Sequence, residues 1–296
     1  MNILVTGATG FIGQSLVPLL QQRGDSVRAL IRPTTKTWPL EQLHVPYIID
    51  DANQGLEKLL KQNGPFDGII HLSSLFLSSH KSADIPPLLT SNILFPTRLL
   101  EAAVHNDIPW FINTGTIWQH YEGNDYSPVN LYAATKQAFE SLARYYVEAH
   151  GIRFSTLALS DTYGPGDTRE KLLNLWCRIA KSGESLDMSE GRQKIDLVYV
   201  DDVADAFVRM VDSMSVQDRS MPTYSISSKE IVSVRELATL FEKITDRSLC
   251  INWGKRPARP REMMTPWTSG LSIPGWQPRT TLREGLNNIW QAFTKT

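Results

Sequence analysis

Three glycines spaced three residues apart interrupt the first apolar run of the chain. Asn2 to Thr6 reads as a buried strand, Gly7-Ala8-Thr9-Gly10-Phe11-Ile12-Gly13 follows, and Phe11 to Arg23 has the periodicity of an amphipathic helix. A strand that turns this abruptly into a helix needs unusual backbone angles. The missing side chains also let the helix N-terminus approach a pyrophosphate and meet it with free N–H groups. The spacing is G-x-x-G-x-x-G, which departs from the G-x-G-x-x-G dinucleotide fingerprint. Its place between a strand and a helix is what points to nucleotide binding over a structural turn.

The alternation continues after Ser26 to Ile31 closes a first βαβ unit. Tyr47 to Ile49, Gly68 to Leu72, Trp110 to Asn113 and Phe154 to Leu159 read as strands, with helices at Leu56 to Gln62, Asn92 to His105 and Tyr132 to His150. This order predicts an α/β fold, a doubly wound parallel sheet of Rossmann type. Beyond Tyr163-Gly164-Pro165-Gly166-Asp167 the pattern loosens and Pro and Trp accumulate, so residues 166–296 are expected to form mainly a smaller, substrate-binding lobe after a dinucleotide-binding domain at 1–165. The strand-like Ile195 to Val200 and the helix-like Val203 to Asp212 are expected to bring 195–215 back to the main sheet, with Asp202 capping that helix.

The formal net charge of −1 provides no global field for nucleic acid or an anionic membrane, so an anionic partner must be held by local groups in a pocket. Two cysteines, Cys177 and Cys250, suit a reduced compartment and exclude a disulfide scaffold or cysteine-rich metal site. With no basic leader and no long apolar run, the expectation is a cytoplasmic protein with no membrane partner. The six histidines have no metal-ligand spacing, so no metal is expected, and His71 reads as a strand histidine with its bonds satisfied.

Tyr132 and Lys136 lie four residues apart on a helix and so share a face, where an ammonium can favour the ionised phenol. Such a pair makes a proton donor beside a bound nicotinamide. At the end of the second strand an acidic residue would accept from a free ribose 2′-hydroxyl, whereas this chain has Arg32, with Lys36 nearby. Arg32 therefore favours NADP(H) over NAD, the alternative being a solvated surface arginine.

Together these residues resemble the extended short-chain dehydrogenase/reductases, and among them the enzymes that modify nucleotide sugars. The resemblance spans nearly the whole chain. It is carried by Gly7/Gly10/Gly13, His71-Leu72-Ser73-Ser74, Tyr132-Ala133-Ala134-Thr135-Lys136, Tyr163-Gly164-Pro165-Gly166, Tyr199-Val200-Asp201-Asp202-Val203-Ala204 and Gly275-Trp276-Gln277-Pro278. It implies that Tyr132 protonates a carbonyl oxygen as hydride arrives, that Lys136 holds the nicotinamide ribose, and that Thr114, with Thr116 as fallback, hydrogen-bonds the same oxygen. It implies a cofactor site of Gly7, Thr9, Gly10, Phe11, Ile12, Gly13, Arg32, Asp50, Leu72 and Ser73, together with Tyr132 and Lys136. Relatives commonly pair as homodimers through the helices matching Asn92 to His105 and Tyr132 to His150.

Departures from the family pattern narrow the chemistry. Sugar 4,6-dehydratases carry an Asp-Glu pair after the threonine, where this chain has Gly115-Thr116. Dehydration is not expected. Asp161-Thr162-Tyr163-Gly164-Pro165 is similar to the wording of bacterial reductases of 4-keto-6-deoxy or 3,6-dideoxy sugars carried on CDP or a similar nucleotide. Asp161 either contacts a sugar hydroxyl or ties down the turn before Gly164, and Trp118 either lines the pocket or belongs to the core. Arg259, in Arg259-Pro260-Arg261-Glu262, stands where relatives place an arginine on the substrate diphosphate. The expected partner is a nucleotide sugar and the expected reaction an NADPH-dependent reduction of a keto group, at C4, on a nucleotide-linked deoxy sugar. A nucleotide-sugar 4-epimerase, a reductase of non-sugar carbonyls and a non-catalytic NADP-binding regulatory protein are the alternatives.

Overall fold

A strand that is apolar on both faces has to be covered on both, and β1 (Asn2–Thr6) is buried from Ile3 onward. The computed structural model describes residues 1–214 and 220–295. In it β1, β2 (Ser26–Ile31), β3 (Tyr47–Ile49), β4 (Gly68–His71), β5 (Trp110–Thr116) and β6 (Arg153–Leu159) alternate with α1 (Phe11–Gln22), α2 (Trp38–Gln42), α3 (Leu56–Asn63), α4 (Ile85–Leu89), α5 (Phe95–His105) and α6 (Leu131–His150). A π-helical turn at Thr90–Leu94 joins α4 to α5, so the helical segment begins seven residues before the expected Asn92. β5 likewise runs to Thr116, three residues beyond the expected end, because its last residues pair with Leu157 to Leu159 of β6.

The chain then leaves this layer and returns to it. After β7 (Asp161–Tyr163) come α7 (Leu172–Ser182), β8 (Leu186–Met188), β9 (Lys194–Tyr199), α8 (Val200–Met214), β10 (Thr223–Ile226), β11 (Ile231–Ser233), α9 (Val234–Thr245), β12 (Ile251–Trp253) and α10 (Leu282–Thr294). The main sheet has seven parallel strands in the order β10-β6-β5-β4-β1-β2-β3. The expected return of 195–215 divides. Helix α8 does lie against α1, but β9 pairs with β7 and β11 in a separate three-stranded sheet. The strand that completes the main sheet is β10, within the stretch assigned by sequence to the lobe. Its four residues are too few for their polar–apolar alternation to stand out, and its partner β6 lies more than sixty residues earlier.

One apolar cluster, with Leu16, Val17, Leu20, Phe207 and Met210, fills the face of the sheet covered by α1 and α8. A second, with Leu99, Leu100, Phe139 and Phe154, fills the opposite face under α3, α5 and α6. A third, around Trp176, Leu237, Phe241 and Leu286, holds the smaller lobe together.

Asp202 is not a helix cap. It sits inside the first turn of α8, buried, and its carboxylate accepts from the backbone N–H groups of Arg279 (2.9 Å) and Thr280 (3.0 Å). Its carbonyl accepts from the Trp276 indole at 3.0 Å. The Gly-Trp-Gln-Pro tail is thus fastened to the helix that covers the main sheet. Among the described residues no helix is long and apolar enough to cross a membrane.

Candidate active site

The glycine turn is shaped by contact as well as by backbone angle. Gly7 has φ +72°, and a Cβ there would stand 2.8 Å from the Ser73 nitrogen; at Gly13 it would stand 2.4 Å from the Gly7 carbonyl oxygen. The Gly10 N–H donates to that same carbonyl at 2.9 Å. Gly10 caps α1 with no side chain, and the first turn of α1 has no acidic residue, so its leading N–H groups and its positive dipole end face the cleft beside the turn. A dinucleotide's diphosphate fits such an end.

That cleft, of about 790 Å³, brings together nearly every cofactor residue expected from the sequence: Gly7, Thr9, Gly10, Phe11, Ile12, Gly13, Arg32, Asp50, Leu72, Ser73 and Tyr132. Lys136 is not on its wall. It lies one turn after Tyr132 on the helix that carries both and is 2% exposed. Arg32 is exposed where β2 ends, its loop held by the Thr35 hydroxyl, which accepts from the Arg32 N–H at 3.2 Å. Thr114 and Thr116, two apart on β5, both open onto the cleft, with different bonds. The Thr114 hydroxyl donates to the His71 carbonyl at 2.8 Å, whereas the Thr116 hydroxyl oxygen accepts from the Trp118 N–H at 3.3 Å.

Helix α6 starts at the right place because Asn130 caps it, its side chain accepting from the Ala133 N–H at 2.9 Å. The first turn then presents Tyr132, packed edge-on against Phe76 at 5.1 Å between centroids. The sequence led us to expect a phenol lowered by Lys136. Burial instead pushes the Tyr132 phenol up to about 12; a hydrogen bond with the Ser74 side chain and the Arg169 charge pull it back, and Asp161 adds to the rise. Burial brings Lys136 down to about 8, opposed by the nearby Glu140 carboxylate. His71 shares a 2.8 Å hydrogen bond between its Nδ1 and the Thr6 hydroxyl, and burial, then Lys136, hold it well below its ordinary value and so neutral.

A second cleft of about 490 Å³ adjoins the first, and Phe76, Ile117, Trp118, Asp161, Thr162 and Lys171 belong to both. Arg256, Arg259 and Arg261 lie on its lobe side. Arg261 is committed to the fold, donating to the Pro128 carbonyl (3.0 Å) and the Ser127 hydroxyl (2.7 Å) and lying over the Tyr121 ring. Arg259 is exposed on the cleft wall. Asp161 pairs with Lys171 at 3.3 Å, and Lys171 also lies over the Phe76 ring.

Sequence reasoning missed Arg169. Both Asp167 oxygens hold its guanidinium, at 2.7 Å each, and it lies 4.8 Å over the Phe11 ring at the amino end of α1, lining the same cleft as the glycine turn. The only signal was a charge soon after Gly164-Pro165-Gly166, a stretch that reads as loop. Outside both clefts, Glu57, Glu101 and His105 converge among the described residues, with Glu101 also accepting from Tyr146.

Residues 3–226 match the model of the NAD dependent epimerase/dehydratase family. The chain belongs to that family. The CDP-abequose synthase of Salmonella muenchen is 29% identical over 292 residues, covering 97% of this chain and 96% of the relative. That of Yersinia pseudotuberculosis is 28% identical over 90% of this chain and 92% of its own. Among solved structures, MoeE5 in complex with UDP-glucuronic acid and NAD superposes with a TM-score of 0.84 at 27% identity over 100% of this chain and 99% of its own. The UDP-glucuronic acid 4-epimerase of Bacillus cereus, with UDP-glucuronic acid and NAD, gives 0.86 at 25% with the same coverage. This chain is therefore an enzyme of the NAD dependent epimerase/dehydratase family, built on that family's Rossmann fold.

Proposed function

We propose that this enzyme reduces the C4 ketone of a nucleotide-linked deoxy sugar with NADPH, a CDP-linked 4-keto-3,6-dideoxy hexose being the substrate its CDP-abequose synthase relatives suggest. The observation that carries the reading is Arg32, a cation on the cofactor cleft at the end of β2, where a 2′-phosphate would find it. The solved relatives carry NAD, and Arg32 is the reason to expect a difference here. When bound, the nicotinamide supplies the hydride. Tyr132 enters the reaction protonated, as its raised value requires, and gives its proton to the carbonyl oxygen. Thr116 donates to the same oxygen, and Thr114 does so once that oxygen replaces the His71 carbonyl as its acceptor. Arg259 and Arg256 suit the diphosphate, while Phe76 and Trp118 offer apolar walls to a sugar lacking hydroxyls.

A homodimer belongs to the same reading, since Leu89, Leu94, Leu142 and Tyr145 are large apolar side chains exposed on α4 to α6. So does a cytoplasmic location, which suits two free thiols. The test is product analysis after incubation with NADPH and a CDP-linked 4-keto-3,6-dideoxy hexose. One NADPH oxidised per sugar reduced is the expected result; C4 inversion of a UDP-hexose with no NADPH consumed would replace reduction by epimerisation.

A further inference from the structure

We propose that Glu140, oriented through Gln119, is a positioning residue for the reaction: its carboxylate holds the charge of Lys136 and ties α6 to the end of β5, which carries the two threonines. The inference rests on the catalytic reading of Tyr132 and Lys136 given above.

Tyr132, Lys136 and Glu140 follow one another at four-residue steps on α6 and so form one stripe along it. Glu140 is half-buried, and its carboxylate is gripped from two other elements. Gln119 Nε2 donates to Oε1 at 3.1 Å, and the Thr156 hydroxyl on β6 also donates to it. The Gln119 amide has little freedom to turn, because its Oε1 accepts from the Thr116 N–H at 3.0 Å. Reversing the amide would set its NH₂ against that N–H, so its donor side must face Glu140 and the Gln137 side-chain oxygen, 3.0 Å away. The backbone of Thr116 is thereby linked through one amide to the carboxylate one turn along α6 from Lys136.

Gly115 is explained by the same group of atoms. A Cβ at that position would stand 2.5 Å from Thr156 Cγ2, 3.0 Å from Gln119 Oε1 and 3.4 Å from Glu140 Oε1. Between the two threonines the strand therefore has to lack a side chain because of Thr156 and the Gln119 amide, with the Glu140 carboxylate at ordinary contact distance behind them.

The charges support this arrangement. Burial raises Glu140 and lowers Lys136, and each favours the ionised form of the other. Of the other titratable groups near them, His71 on β4 is neutral and Tyr132 holds its proton, with Asp161 and Arg169 acting on the phenol. Glu140 is thus the charge that keeps the ammonium protonated behind the phenol while the phenol's proton leaves.

The test is the Glu140→Gln variant, which keeps the volume and an oxygen for Gln119 and Thr156 but removes the charge. Steady-state rates with NADPH and a CDP-linked 4-keto-3,6-dideoxy hexose are measured from pH 6 to 9. Lys136 loses its proton more readily in the variant, so the alkaline limb of kcat moves down by about one pH unit, and the variant-to-wild-type ratio falls about sevenfold between pH 6 and 8.5. NADPH affinity, read by fluorescence titration, weakens over the same range, and Glu140→Asp restores part of the limb. A profile superposing on the wild type overturns the proposal, as does a pH-independent loss that Glu140→Asp leaves unrepaired. Tyr132→Phe is run alongside. If it turns over normally, the catalytic reading itself fails; if it is inactive while Glu140→Gln behaves as wild type, the positioning role alone falls.

Discussion

Replacing Lys136 by methionine should make this protein more stable while abolishing its chemistry. The lysine is 2% exposed and burial brings it down to about 8, from an ordinary 10.5. A difference of about 2.5 pH units corresponds to roughly 3 kcal/mol that the fold gives up at pH 7 to keep a charged ammonium inside. The sign follows from proton counting. Between about pH 8 and 10.5 the unfolded chain binds the proton that the folded one sheds, so the cost is full below 8 and fades as pH rises through this window. Lys136→Met alone leaves Glu140 without its counter-charge and should gain only about 1–2 kcal/mol, whereas Lys136→Met with Glu140→Gln should gain about 3 kcal/mol. Urea unfolding at pH 7 and pH 10 measures both. The double variant's advantage should shrink to under about 1 kcal/mol at pH 10. A double variant no more stable than wild type at pH 7, or an advantage equal at both pH values, refutes the reasoning.

Two arginines on the cofactor cleft should separate by ligand. Arg32→Ala is expected to weaken NADPH binding by about 10- to 100-fold and leave NADH nearly unchanged, whereas Arg169→Met weakens both, as fluorescence titrations would register. Asp202→Asn sets an NH₂ against one of the two backbone N–H groups that the carboxylate now receives; a loss of about 2 kcal/mol and a Tm lower by roughly 5 °C are expected in thermal melts.

The elements legible in the sequence are those whose cause is local. β1, the glycine turn and α1 announce themselves because a two-faced apolar strand, a left-handed Gly7 and an amphipathic stripe are properties of adjacent residues. Most of the residues that line the cleft beside the glycine turn could be read in the same way. Lys136 shows the limit: its place on the helix was readable from spacing, but the burial that lowers it, like the burial that raises Tyr132, depends on what other elements bring around α6. The contacts of Arg169 and Glu140 were hidden for the same reason. One acquires meaning only when the loop after β7 lies over Phe11, and the other only when Gln119 turns back from the end of β5.

β10 has a consequence for how such a chain is made. The seventh strand of the main sheet lies at Thr223–Ile226, and the tail that fastens α8 lies beyond Gly275. During synthesis the first six strands emerge while β6 still has an open edge, and that edge is covered only after much of the lobe has been produced. The main layer cannot mature as a finished unit before its neighbour appears, so the two parts have to reach the native state together. A chain cut at residue 165 would carry the whole glycine turn and Tyr132, yet expose the backbone of β6 to pairing with other copies.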